Sequence, residues 1–172
     1  MQLVIAAAVA TAAALCASLI IRKRRRATAA LCDSDDAMAS EDATTVRLSH
    51  RPLDLGSVLA RVTSPSCGAV ATFVGTTRDT FNGRMVISLE YEAYASMAIK
   101  EMLACVRRAR AAFPHVHGIA IEHKLGPCPV TMTSIVIAVA SPHRKDALGA
   151  VGFLVRLQLL TAMRLRDANA HA

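Results

Sequence analysis

The feature that most constrains this chain is Ile135–Ala140, six consecutive residues without a polar side chain. A run with no wet face must be buried on both sides, which makes it an internal strand of a sheet. Two alternating segments lie before it. Gly68–Thr76 sets Ala69, Ala71 and Phe73 against Val70, Thr72 and Val74, a strand with two fairly apolar faces. Val86–Ala93 sets Ile87, Leu89, Tyr91 and Ala93 against Val86, Ser88, Glu90 and Glu92, the pattern of a half-exposed strand. Between them, Asn82-Gly83 is a strong turn signal. Val46–His50 and Val116–Lys124 are further strand candidates. Gly126-Pro127 with Pro129 reads as a turn, and Val130–Thr133 as a short extended piece.

Helical periodicity appears in Leu53–Val62 and, over a longer stretch, in Ser96–Phe113. There Met97, Ile99, Met102, Leu103 and Val106 form the apolar side, and Pro114 ends the helix. Ser141-Pro142 is expected to open a last helix, with serine capping its first turn. Strands and helices interleave around a hairpin signal. The expected class is therefore α+β, a mainly antiparallel sheet with packed helices, rather than a doubly wound parallel sheet. Aromatic residues make up only 3% of the chain, so Ala, Val, Leu and Ile must build the core.

This pattern occupies residues 46–172. Ahead of it, Leu3–Ile21 carries no charge and is followed at once by RKRRR, so residues 1–26 read as a hydrophobic anchor or leader with a basic flank. As a helix, the run would be about 28 Å long at ~1.5 Å per residue, near the ~30 Å hydrocarbon thickness. Basic residues favour the cytoplasmic side, which predicts a membrane-anchored protein whose domain faces the cytosol. The competing reading is a removed leader and a cytosolic or organelle-targeted domain. Residues 27–45 are small, polar and acidic and read as a flexible, disordered linker.

Residues 1–45 hold five basic and five acidic side chains, so the whole net charge of +7 lies on the domain. Such a surplus suits an anionic small molecule or an acidic protein partner; no aromatic-and-basic stretch argues for nucleic acid. The five cysteines are scattered, with no Cys-x-x-Cys pair, which indicates neither a metal site nor a disulfide framework.

Arg78, His143 and Arg144 form the most informative constellation. Arg78 follows a strand, in a loop where its guanidinium is free to face a ligand. His143 and Arg144 fall in the first turn of the last helix, where cations oppose the dipole unless an anion joins them. With an anion present, free N–H groups and two cationic side chains converge on one charge. A solvated basic surface is the alternative, and residue types alone leave both open. His123 ends a strand and reads as structural. Glu90 and Glu92 are explained by alternation.

Four segments in order, GAVATFVGTTRDTFNG, LEYEAYASMA, IEHKLGPCPV and VIAVASPHRKDAL, resemble the catalytic (large) subunit of molybdopterin synthase. The resemblance covers about Gly68 to Leu154 and is weaker from Val46. It implies a hammerhead-type α+β fold, a homodimer, and a small ubiquitin-like sulfur-carrier partner whose thiocarboxylate enters the active site. It also implies sulfur transfer to cyclic pyranopterin monophosphate in molybdenum-cofactor biosynthesis, with no cofactor or metal of the enzyme's own. By motif position, Thr76, Thr77 and Arg78 would line the pocket, and His143 and Arg144 would bind the phosphorylated pterin or the carrier tail.

The family pattern then continues with two lysines that serve catalysis, and here the chain departs. The first position is Leu159 and the second, counted without gaps, is Arg166. Arginine does not deprotonate to act as an amine at neutral pH. The catalytic residues are therefore unassigned. The alternatives are an impaired, membrane-anchored pseudo-subunit that docks the carrier or a catalytic partner, and a C-terminus replaced by another reading frame.

Overall fold

The computed structural model describes residues 36–41, 43–158 and 164–167. The expected anchor of residues 3–21 lies outside them, as does the linker up to residue 35. Among the described residues, no helix is long and apolar enough to cross a membrane.

The elements run β1 (Ala37–Glu41), β2 (Thr44–Ser49), α1 (Leu55–Val62), β3 (Ala69–Thr76), β4 (Thr80–Phe81), β5 (Arg84–Met85), β6 (Ser88–Glu92), α2 (Ala95–Ala112), β7 (Gly118–Lys124), β8 (Gly126–Pro129), β9 (Thr133–Ser141), α3 (Arg144–Gln158) and β10 (Arg164–Asp167). A five-stranded sheet has the order β1-β2-β7-β9-β3, a three-stranded sheet the order β10-β6-β8, and β4-β5 is a separate hairpin. Every pairing is antiparallel except β2 with β7. This is the expected α+β class.

Ile135–Ala140 is internal, held between β7 and β3, but β7 occupies the middle and is buried along its whole length. Alternation sorts the side chains onto two faces. Ile119 and Ile121 of β7 join Val46, Leu48, Ile137 and Val139 in a core under α2 and α3. Ala120 joins Val136, Ala138 and Ala140 under Val58 and Val62 of α1. Asp54 caps α1, accepting from the Gly56 and Ser57 amides at 3.2 and 3.0 Å. Gly149 lets α3 approach the end of α2: a Cβ there would lie 2.6 Å from the Phe113 ring.

Several expectations need correction. The linker of residues 27–45 is partly a strand, because β1 pairs with β2 and Asp36 ties it down. That carboxylate accepts from Arg47, from the Ser49 hydroxyl and from the His50 amide at 2.9, 3.1 and 2.9 Å. The Gly126–Pro129 turn is strand β8, at the edge of the small sheet, where proline's missing donor does no harm. Ser141 does not cap α3. It ends β9 and donates to the His115 carbonyl at 3.3 Å, while the His143 carbonyl accepts the first helical bond from Ala147. Met97, expected on the buried side of α2, is exposed; the buried stripe is Ala98, Met102, Cys105, Val106 and Ala109.

The sheet's α1 face also carries charge. Glu122 on β7 is 1% exposed and meets Arg61 of α1 on one side. On the other is Arg47, its register partner on β2, at 3.7 Å, which also reaches Asp36 at 2.9 Å. Burial pushes the Asp36 carboxyl up, yet its donors outweigh this and hold it below its ordinary value. Both arginines remain partly exposed and can rehydrate, so removing Glu122 costs less than breaking a fully buried pair. Glu122→Gln is expected to destabilise the fold by about 2–3 kcal/mol. A lowered urea midpoint at unchanged slope is the readout; an unchanged midpoint would show that the arginines gain nothing from this acid.

Candidate anion site

β3 ends in a locally irregular structure. The register on β9 shifts between Gly75 and Thr76, from Gly75↔Ile135 to Thr76↔Thr133. Ser134 is the extra residue, and its hydroxyl donates to the Gly75 carbonyl at 3.1 Å. Thr76 is exposed, whereas Thr77 is 3% exposed and turned inward. The Thr77 hydroxyl donates to the Cys128 carbonyl at 3.1 Å and lies 3.3 Å from the Cys128 sulfur. Its amide donates to Met132 O at 3.1 Å, and its carbonyl accepts from the Thr131 amide at 2.8 Å. Thr131 has φ +72, a left-handed conformation uncommon for a β-branched residue.

Arg78 is the first exposed residue beyond this junction. Its guanidinium lies over Phe81, 5.6 Å from the ring centroid. Phe81 belongs to the β4–β5 hairpin, whose turn residues Asn82 and Gly83 both have positive φ, as a tight two-residue hairpin requires. Phe81, Met85 and Ile87 are all exposed around Arg78's loop.

His143 and Arg144 are also exposed, but at the other end of the sheet. β9 runs from Thr133, opposite Thr76, to Ser141, opposite Ala69. Along eight-residue β3 this separation is about 23 Å at roughly 3.3 Å per residue. The three cations expected in one place are therefore not adjacent within one chain. Arg78 belongs to one end of β3, and His143 and Arg144 to the opposite end. α3 packs along β3 and β9 on its return, and its fifteen residues cover about 22 Å at ~1.5 Å each, so its C-terminal end comes back toward Arg78.

The profile of the MoaE protein family matches residues 48–157. The chain belongs to the MoaE family. A molybdopterin synthase catalytic subunit from Taeniopygia guttata is 48% identical over 110 residues, covering 64% of this chain and 71% of that protein. Molybdopterin synthase catalytic subunit 1 from Aedes aegypti is 47% identical over the same shares. The crystal structure of molybdopterin synthase from Staphylococcus aureus is similar with a TM-score of 0.66 at 26% identity, covering 72% of this chain and 91% of that one.

The MoaE match contains Thr76, Thr77, Arg78, His143 and Arg144 and stops two residues before Leu159. Leu159 lies outside the described residues. Arg166 is on β10, in register with Glu90 of β6. Among the described residues, no group of three His, Cys, Asp or Glu side chains is placed to hold a metal. Cys128, Ser134 and Phe81 were not foreseen as neighbours of Thr77 and Arg78. Only the Asn-Gly turn, which folds Phe81 back, hinted at one of them.

His123 stands behind this end of the sheet. It is 7% exposed, its Nδ1 bonds the Lys124 carbonyl at 2.8 Å, and its ring meets Tyr91 edge-on at 4.8 Å. A carbonyl only accepts, so Nδ1 carries the proton. Burial lowers this imidazole from 6.5 to about 4, against the opposing effect of that hydrogen bond. An unfolded histidine takes up its proton near 6.5, whereas the folded one resists until about 4. The native state is thus fully favoured above the first value and loses that advantage as the pH falls to the second. A loss of about 3 kcal/mol across this window is expected. Urea unfolding at a series of pH values measures it, and His123→Phe should flatten the curve; an equally steep curve in that variant would assign the slope to other groups.

Proposed function

We propose that this chain acts as the catalytic subunit of a molybdopterin synthase, moving sulfur from a thiocarboxylated carrier protein to cyclic pyranopterin monophosphate. The observation that carries the reading is the MoaE match over residues 48–157, which includes every cationic residue of the candidate site. A phosphorylated substrate needs fixed positive charge. Arg78 would supply it at one end of β3. His143, Arg144 and the free amides of the α3 N-terminus would supply it at the other.

One chain keeps these groups about 23 Å apart, as the β3 length gives. A second copy removes the difficulty. β3 is an edge strand of the large sheet, and Val70, Phe73 and Val74 on it are exposed. Two such edges joined antiparallel about a twofold axis would set the Arg78 end of one beside the His143 end of the other. This supports a homodimer whose sites are each shared between copies. The exposed Phe81, Met85 and Ile87 beside Arg78 are an apolar rim suited to the carrier's extended tail. In this reading Leu3–Ile21 with RKRRR anchors the dimer to a membrane, on the cytosolic side.

Two measurements test the reading. The full chain, supplied with thiocarboxylated carrier and the pterin, is expected to form the dithiolene product. Carrier binding without product would make the chain a docking subunit instead. Chains with Arg78→Ala and chains with His143→Ala and Arg144→Ala should each fail to bind the pterin alone. Mixed and re-associated at random, they should regain about a quarter of the wild-type sites, because each mixed dimer restores one intact site. No recovery in verified mixed dimers would rule out a shared site.

A further inference from the structure

We infer that Thr77 is a positioning residue, whose buried hydroxyl sets the direction of Arg78 and never touches the substrate. The inference rests on Arg78 being the anion-holding residue of the site proposed above. It replaces the expectation that Thr77 lines the pocket.

Three observations converge. First, the polar groups of Thr77 are all engaged internally. The amide, the carbonyl and the hydroxyl bond Met132, Thr131 and Cys128, the first two in the segment joining β8 to β9 and the third in β8 itself. Both donors are used, so none is left for an anion, and the side chain is only 3% exposed. Second, the segment that receives these bonds is itself fixed on several sides. Met132 N–H donates to the Pro129 carbonyl at 3.0 Å, and Val130 N–H to the Ile87 carbonyl at 3.1 Å. Thr131 is held with positive φ, a conformation that persists only when its surroundings determine it. Third, the bulge at Ser134 sits directly across from Gly75 and Thr76. A bulge disrupts the ladder locally, so the regular pairing of β3 on β9 breaks just before Thr77 and Arg78, and the bonds of Thr77 hold the backbone there instead. The Tyr91 hydroxyl of β6 pairs with the Ser134 hydroxyl, tying the small sheet to the same point.

The consequence is a chain of restraint that ends at one residue. The backbone is fixed through Thr77 and released at Arg78, whose long side chain then settles over Phe81 at 5.6 Å. A guanidinium aimed in this way loses less freedom on meeting a phosphate, so the gain appears as anion affinity. Thr77→Val keeps the shape of the side chain and removes the hydroxyl. Thr77→Ser keeps the hydroxyl.

The test has two independent readouts on the full chain. In the first, NMR follows the Arg78 side-chain resonances, which the Phe81 ring current shifts; Phe81→Leu gives the unshifted reference. Thr77→Val is expected to move them toward that reference, and Thr77→Ser to leave them at the wild-type value. In the second, affinity for inorganic phosphate should fall on the order of tenfold in Thr77→Val and recover in Thr77→Ser. The double variant Thr77→Val with Arg78→Ala should bind no more weakly than Arg78→Ala alone, because the threonine acts only through the arginine. Wild-type resonances in Thr77→Val, or additive losses in the double variant, overturn the inference. Should Thr77→Val fail to fold, Ser134→Ala releases the Gly75 carbonyl at the bulge and carries the same expectation for the resonances. If the wild-type chain binds neither phosphate nor the pterin, the proposed function fails, and the resonances still decide whether Thr77 aims Arg78.

Discussion

The antiparallel register of β3 on β9 is the constraint on which the rest of the site depends. It fixes Ala69 opposite Ser141 and Thr76 opposite Thr133, with one extra residue at Ser134. Two consequences follow from that single alignment. The cationic groups after β3 and after β9 are forced to opposite ends of the sheet, so a common ligand requires a second molecule. The bulge also interrupts the ladder just before Arg78, where three backbone and side-chain bonds through Thr77 take over the work of holding the strand. A register slip of one residue would turn every side chain of β3 to the other face. It would expose Ala71 and turn its exposed neighbours inward, so the core fixes the register and the register fixes Arg78.

β7 shows how far the same sheet tolerates charge. Its seven residues are all buried, and its last three are Glu122, His123 and Lys124. Each is held in a different way. Glu122 takes two arginines from neighbouring elements. His123 stays neutral, with its Nδ1 proton on a carbonyl. Lys124 points to the α1 side of the sheet and donates to the His50 and Leu125 carbonyls at 2.8 and 2.6 Å. The alternation sends His123 toward Tyr91 and the small sheet, while Glu122 and Lys124 face the other way. The buried charge thus links elements at the sheet's end without entering the core under α2 and α3.

The fold class was legible because periodicity is a local property. Ile135–Ala140, the Val86–Ala93 alternation and the Ser96–Phe113 stripe each reported a real element within a few residues. What failed depended on partners far away in sequence. Residues 126–129 looked like a turn because two prolines and a glycine sit there, and only the approach of β6 makes them an edge strand. Ala37–Glu41 looked like linker because its small polar composition is ordinary for one, and it becomes a strand through Asp36 and the edge of β2. The cationic residues of the proposed site were named from motif position. Their separation could not be, since nothing in a linear reading says which end of which strand faces which.

The last step concerns how the site's two chemical tasks are divided along the chain. Holding a phosphate needs permanent positive charge, and arginine serves well because it stays protonated and presents a planar fork of donors. Moving sulfur through an amine needs a group that can lose a proton, which lysine does when desolvated and arginine does not. In the proposed function the first task falls to Arg78, His143 and Arg144, all within the residues that match the MoaE family. By the resemblance, the second would fall to positions 159 and 166, both beyond the match and occupied here by leucine and arginine. Of the described lysines, Lys124 is buried with its amine on two carbonyls and Lys100 is on the wet side of α2. Lys145 is exposed in the first turn of α3, next to Arg144, and in the proposed dimer it would lie at the same end as His143 and Arg144. Anion recognition and amine chemistry are therefore separable in this chain. In the proposed function, pterin binding would rest on the sheet register and on the second copy that this register calls for, whereas turnover would rest on the segment after α3.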